Sequence, residues 1–91
     1  MNPVQSPGLP WREVDARAII ISPKTGEIHE LDPVGTFLWV RATGNHTLEA
    51  LARELAEVYD VQSDTALADI SEFFAELFNR QLIQWRCSPR P

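Results

Sequence analysis

The run Ala18-Ile19-Ile20-Ile21 constrains this chain more than any other feature. Three consecutive β-branched residues lose side-chain freedom in a helix and fit a pleated strand. Pro23-Lys24-Thr25-Gly26 follows at once. Proline presets φ for an early turn position, and glycine reaches the left-handed conformation that closes the loop. The pattern predicts a strand over Arg17 to Ser22, a tight turn, and an antiparallel return over Glu27 to Leu31. A short first strand over Trp11 to Val14 precedes this hairpin.

Three helices are predicted after it. Asp32-Pro33 is a helix start, because aspartate accepts from free backbone N–H groups and proline suits the first helical position. That helix is expected through Phe37, Leu38 and Trp39 to about Thr43, with Gly44 ending it. Thr47 is expected to cap a second helix. Its Leu48, Leu51, Ala52, Leu55, Val58 and Tyr59 share one apolar face by three-and-four spacing. Asp60-Val61-Gln62 interrupts the pattern, and Ser63 is expected to cap a third helix through about Gln81. Leu82-Ile83-Gln84-Trp85 reads as a closing strand or an extended segment.

Outside these elements, residues 1–10 carry Pro3, Pro7 and Pro10 and read as an extended arm, mobile unless it docks. Residues 86–91 read as a flexible tail. The chain's 91 residues suit one domain, here residues 11–85. A domain of this size buries only about 60–65% of its unfolded surface. Its core is thin, and a deep active-site cavity would be costly to hold open. No apolar run nears the roughly 18 residues of a membrane span. The start lacks the basic and apolar regions of a signal peptide. A cytoplasmic location follows as the default, and the single Cys87 agrees with a reducing compartment.

Charge narrows the partners. Net charge is −5. Residues 47–79 hold Glu49, Glu54, Glu57, Asp60, Asp64, Asp69, Glu72 and Glu76 against the one base Arg53. Such a surface repels phosphate backbones and acidic lipid, which argues against nucleic-acid and membrane partners. The order strand, strand, helix, helix, helix is winged-helix-like, a layout that often binds DNA. Residues 63–79 contain no Lys or Arg, however, so they make a poor recognition helix.

Catalytic chemistry lacks residues. His29 and His46 have no second histidine or cysteine at metal-ligand spacing. Cys87 has no local partner that would mark a nucleophile. The four glycines are scattered and form no phosphate-binding loop. The acids line the charged sides of helices, where carboxylates keep ordinary acidity and serve solubility. No enzyme, cofactor or metal site is expected.

The third helix carries the most informative pattern. At 100° per residue, Phe73, Ala66, Leu77, Ile70, Phe74, Leu67 and Phe78 span an arc of roughly 140°. Sealing a small core takes about 100° or somewhat more. Either one edge of the arc faces a second partner, or the hairpin and other helices cover all of it. A hairpin-based sheet must also have an edge, whose unpaired N–H and C=O groups can template another strand. Glu27-Ile28-His29-Glu30-Leu31 lacks proline, so its donors are intact. An extended peptide bonded to Glu27, Ile28, His29, Glu30 and Leu31 would rest apolar side chains on Leu67, Ile70, Phe73, Phe74 or Phe78.

Trp11-Arg12-Glu13-Val14, then Ile19 to Gly26, then His29-Glu30-Leu31-Asp32-Pro33-Val34-Gly35-Thr36-Phe37-Leu38-Trp39 resemble PqqD-family proteins. So do Thr47 to Ala52, Tyr59-Asp60-Val61 and Asn79-Arg80-Gln81-Leu82-Ile83. The resemblance covers about residues 11–85. It implies an α+β fold, with a three-stranded antiparallel sheet packed on three helices. It also implies a peptide chaperone, or RiPP recognition element. Such a domain binds the leader of a ribosomally made precursor peptide and presents it to a modifying enzyme, commonly a radical SAM protein. The leader would add to the third strand, Glu27 to Leu31, and pack on the third helix, Ala66 to Phe78. The family often has asparagine where Asp32 stands, and a glycine where Gln81 stands. The second difference leaves the end of the third helix open. The other reading is an adaptor that binds a folded partner through its acidic helices. Self-association through the free edge or by strand exchange is also open to such a chain.

Overall fold

A computed structural model describes residues 1–87 of the chain. Five strands and three helices follow in order: β1 (Asn2–Gln5), β2 (Trp11–Val14), β3 (Arg17–Ile21), β4 (Ile28–Glu30), α1 (Pro33–Val40), α2 (Leu48–Tyr59), α3 (Ser63–Asn79) and β5 (Ile83–Arg86). The predicted hairpin forms, and β2 joins it as an antiparallel sheet in the order β2-β3-β4. The three helices and this sheet give the expected α+β architecture. No helix among the described residues is long and apolar enough to cross a membrane.

Sheet register fixes what faces the helices. Trp11 pairs with Ile20, and Ile20 with His29. Ala18 and Ile20 are fully buried. The alternate residues Ile21 and Ile28 face solvent, and Ile28 is 69% exposed. Alternation of this kind is what a sheet covered on one side requires. The core joins the inner face to Leu38 and Trp39 of α1, Leu51 and Leu55 of α2, and Ile70 and Phe74 of α3. Trp11 meets Trp39 edge-on at 5.9 Å, tying β2 to α1. Thr36 ties β3 to the same helix: the Ala18 N–H donates to its buried Oγ1 at 2.7 Å.

The β2–β3 turn is strained. Asp15 and Ala16 take φ of 53° and 63°, the pair of positive values a two-residue type I′ turn demands. Alanine resists this conformation by about 1–2 kcal/mol. Ala16→Gly relieves the strain but frees the unfolded chain, which costs about 0.4–1 kcal/mol. A net gain of roughly 0.5–1 kcal/mol is expected in urea unfolding. An unchanged or lower midpoint would show the turn to be unstrained.

Helix ends follow the sequence in part. Asp32 Oδ1 accepts from the Gly35 N–H at 2.7 Å, and Thr47 Oγ1 from the Ala50 N–H at 3.0 Å. Ser63 differs: it is the first helical residue, and Gln62 caps α3 without a side-chain bond. α1 stops at Val40, three residues short of the expected end, because Thr43 is drawn into a bridge with Val4. α3 stops at Asn79. There the Gln81 N–H donates to the Phe78 carbonyl and the Leu82 N–H to the Leu77 carbonyl, both at 2.9 Å. This is a Schellman ending, and Gln81 supplies the left-handed residue at φ 64° that glycine more often provides.

Residues 1–10 are not a free arm. β1 runs antiparallel to β5 in a second, two-stranded sheet, with Asn2 opposite Arg86 and Gln5 opposite Ile83. Asn2 and Pro3 are buried. The Gln5 N–H donates to the Ala42 carbonyl, the Gly44 N–H to the Pro3 carbonyl, and Asn2 Nδ2 to the Gly44 carbonyl. Gly44 takes a φ of +86°, which side-chain-bearing residues rarely adopt, and a Cβ there would displace the Arg86 side chain, whose Cδ would lie 2.7 Å away. Of the expected Leu82–Trp85 segment, residues 83–85 thus belong to β5, which pairs with β1 and not with the hairpin sheet. Of the expected 86–91 tail, Arg86 belongs to β5, and residues 88–91 lie outside the described residues.

Candidate functional site: an open strand edge beside the third helix

β4 pairs with β3 on one side only. The Ser22 N–H donates to the Glu27 carbonyl and the Leu31 N–H to the Ala18 carbonyl. Antiparallel partners alternate between bonded and non-bonded pairs. Glu27, His29 and Leu31 therefore turn their backbone groups toward β3. Ile28 and Glu30 turn theirs outward, where no strand of the described chain meets them.

The side chains alternate the other way. His29 shares the inner face with Ile20 and reaches α3, where its Nδ1 lies 3.5 Å from Arg80 Nη1. Arg80 Nη2 donates to Glu76 Oε1 at 2.8 Å across one helical turn. Glu30 faces the outer side and lies 3.7 Å from Arg17. Exposed pairs like these contribute little to stability; they mark the two faces of the edge.

Between β4 and α3 lies a groove of about 310 Å³, lined by Ile28 to Leu31, Phe73, Glu76, Leu77, Arg80 and Leu82. Phe73 is its aromatic wall. α1 comes close at Gly35, where a Cβ would stand 3.1 Å from Phe73 Cε1. Absence of a side chain there seats the ring.

The wide arc of α3 now divides into three. Its middle, Ala66, Ile70, Phe74 and Leu77, is buried in the core. One edge, Phe73, borders the groove. The other edge, Phe78, is 47% exposed and leans on Trp85 at 6.3 Å, away from β4. Leu67 packs against the core and does not line the groove. So Ile70 and Phe74 do not line the β4 groove, and Phe78 borders a separate depression with Pro7, Leu9 and Pro23. The core takes the centre of the arc, and its edges stay accessible.

Sequence reasoning missed Glu76, Leu77, Arg80 and Leu82 as groove residues, Leu77 having been placed on the apolar arc without a role toward a guest. The helical wheel held the signal for two of them, since Glu76 and Arg80 fall on the Phe73 side of the arc at 100° per residue. Leu82 follows the helix and was hidden by the unknown turn at Gln81. Among the described residues, no group of three or more His, Cys, Asp or Glu side chains gathers to hold a metal.

Together, the unpaired outer side of β4 and the third helix beside it define a small α+β domain of winged-helix-like layout. Residues 17–83, most of the chain, match the family model of coenzyme PQQ synthesis protein D (PqqD), and the chain belongs to the PqqD family. Two solved structures share the fold. One is TbiB1, solved in complex with the TbiA(beta) leader peptide; it is 21% identical, with a TM-score of 0.83 over 93% of this chain and 99% of that one. The other is the PqqD truncation of Methylobacterium extorquens PqqCD, solved by solution NMR and described as a functional, stand-alone RiPP recognition element. It is 20% identical, with a TM-score of 0.75 over 90% of this chain and 87% of that one. No curated protein matches the chain.

Proposed function

We propose that this domain is a non-catalytic recognition element that binds the leader of a ribosomally made precursor peptide and presents it to a modifying enzyme, of the radical SAM type, in the cytoplasm. The observation that carries this reading is the outward-facing backbone of Ile28 and Glu30 beside a groove walled by Phe73. An extended peptide adds there as a fourth strand. Its backbone bonds supply affinity, and its inward side chains meet Phe73, Leu31 and Leu77. The leader-peptide complex of TbiB1 and the recognition role of the M. extorquens domain support it.

Ile28→Pro tests the reading. Proline is tolerated where an edge N–H faces solvent, and the Ile28 N–H makes no bond to β3. The variant is expected to fold normally yet bind a leader peptide roughly tenfold more weakly in calorimetry. Amide shifts on binding should centre on residues 28–30. Equal affinity in the folded variant would defeat strand addition. Shifts confined to the acidic faces of α2 and α3 would instead identify an adaptor for a folded, basic partner.

A further inference from the structure

Beyond the Leu31 end of β4 lies a second cleft, of about 350 Å³, between α1, α2 and α3. Its volume falls in the range of ordinary ligand pockets, roughly 300–1,000 Å³. Leu38, Leu55 and Ile70 form a buried apolar floor. Val34, Tyr59 and Val61 border the mouth, and Tyr59 and Val61 are 39% and 42% exposed. The only ionisable side chains of its lining besides Tyr59 are the exposed carboxylates Asp32 and Asp69; no basic residue lines it.

This cleft adjoins the β4 groove. Phe73 borders both, and a shelf made by Arg17, Glu30, Leu31, Asp32 and Phe73 joins them. The β4 edge, for its part, is short. Two residues turn backbone groups outward, and such bonds largely replace bonds to water and read no sequence. Selectivity needs a pocket, and the adjoining one is apolar with an acidic rim.

We propose that a peptide seated on β4 runs on past Leu31 and sets a bulky apolar side chain into the α1–α2–α3 cleft, with a Lys or Arg of the same peptide beside the Asp32 and Asp69 carboxylates. This rests on the peptide-binding reading above and adds the guest's sequence chemistry to it. A guest antiparallel to β4 carries this anchor before its strand segment; a parallel one carries it after.

The test is selection of a displayed library of random 16-residue peptides on the full chain, repeated on Val34→Phe, which fills the cleft mouth, and on Asp69→Lys, which reverses its rim on an exposed site. Amide shifts at residues 28–30 confirm where each selected peptide sits. The wild-type selection is expected to fix a bulky apolar residue, with a neighbouring Lys or Arg, at constant distance from an alternating apolar strand. Val34→Phe should abolish that bulky preference and weaken the wild-type consensus peptide roughly ten- to a hundredfold, with the shifts at 28–30 retained. Asp69→Lys should remove the basic preference alone. Peptides that shift residues 28–30 but share no bulky anchor, or that bind Val34→Phe unchanged, would overturn the proposal and leave strand addition standing. A library yielding no peptide that shifts residues 28–30 would overturn both.

Discussion

Removing residues 1–6 is expected to cost about 6 kcal/mol of stability. Six hydrogen bonds outside the strand ladder are lost with that segment: Gly44 N–H to the Pro3 carbonyl, Gln5 N–H to the Ala42 carbonyl, Ser6 N–H to the Leu82 carbonyl, Ser6 Oγ to the Gln81 carbonyl, Asn2 Nδ2 to the Gly44 carbonyl and Gln5 Nε2 to the Trp39 carbonyl. Each contributes about 1 kcal/mol net. The β1–β5 ladder goes too, and the buried Ile83 loses its cover. Small domains have about 5–15 kcal/mol in all. The truncated chain should therefore be largely unfolded or show a much reduced urea midpoint, with broadened amide spectra. A midpoint equal to that of the full chain would mean that the segment is dispensable and the paired arrangement contributes nothing.

Phe73 and Phe74 are adjacent, and their alanine variants should fail in different ways. Phe74 is fully buried, its ring 5.0 Å from that of Phe73 and 6.4 Å from that of Trp85. Phe74→Ala leaves a cavity where sheet, α3 and β5 converge, and a loss of about 3–5 kcal/mol is expected. Phe73 is half-buried and forms the groove wall. Phe73→Ala should cost clearly less stability than Phe74→Ala and should weaken a leader peptide about tenfold or more. Urea unfolding and calorimetry on both proteins separate the two. A Phe73→Ala protein that binds as tightly as wild type would remove the ring from the site.

The hairpin was legible because its evidence is local: three isoleucines in a row and a Pro-to-Gly turn lie within eight residues. The caps at Asp32 and Thr47 were legible for the same reason. β1 was not. Asn2-Pro3-Val4-Gln5 has no alternation and contains a proline, and its partners stand some 40 residues and more away, at Gly44 and in β5. Only tertiary pairing makes it a strand. Ser63 lost its capping role because the helix began one residue earlier than its side chain suggested, a shift within the ordinary uncertainty of helix ends. The width of the α3 arc announced surplus apolar surface, but a wheel does not say which edge faces which neighbour. Contact with His29 and Gly35 settles that: the Phe73 edge faces the open strand, and the Phe78 edge faces β5.

Pairing of β1 with β5 gathers the two ends of the domain on the Phe78 side of α3, across the helix from the groove. A tether joined at either end thus leaves the guest's berth unobstructed. Chain added before β1 or beyond β5 therefore leaves the domain on the side opposite the β4 groove.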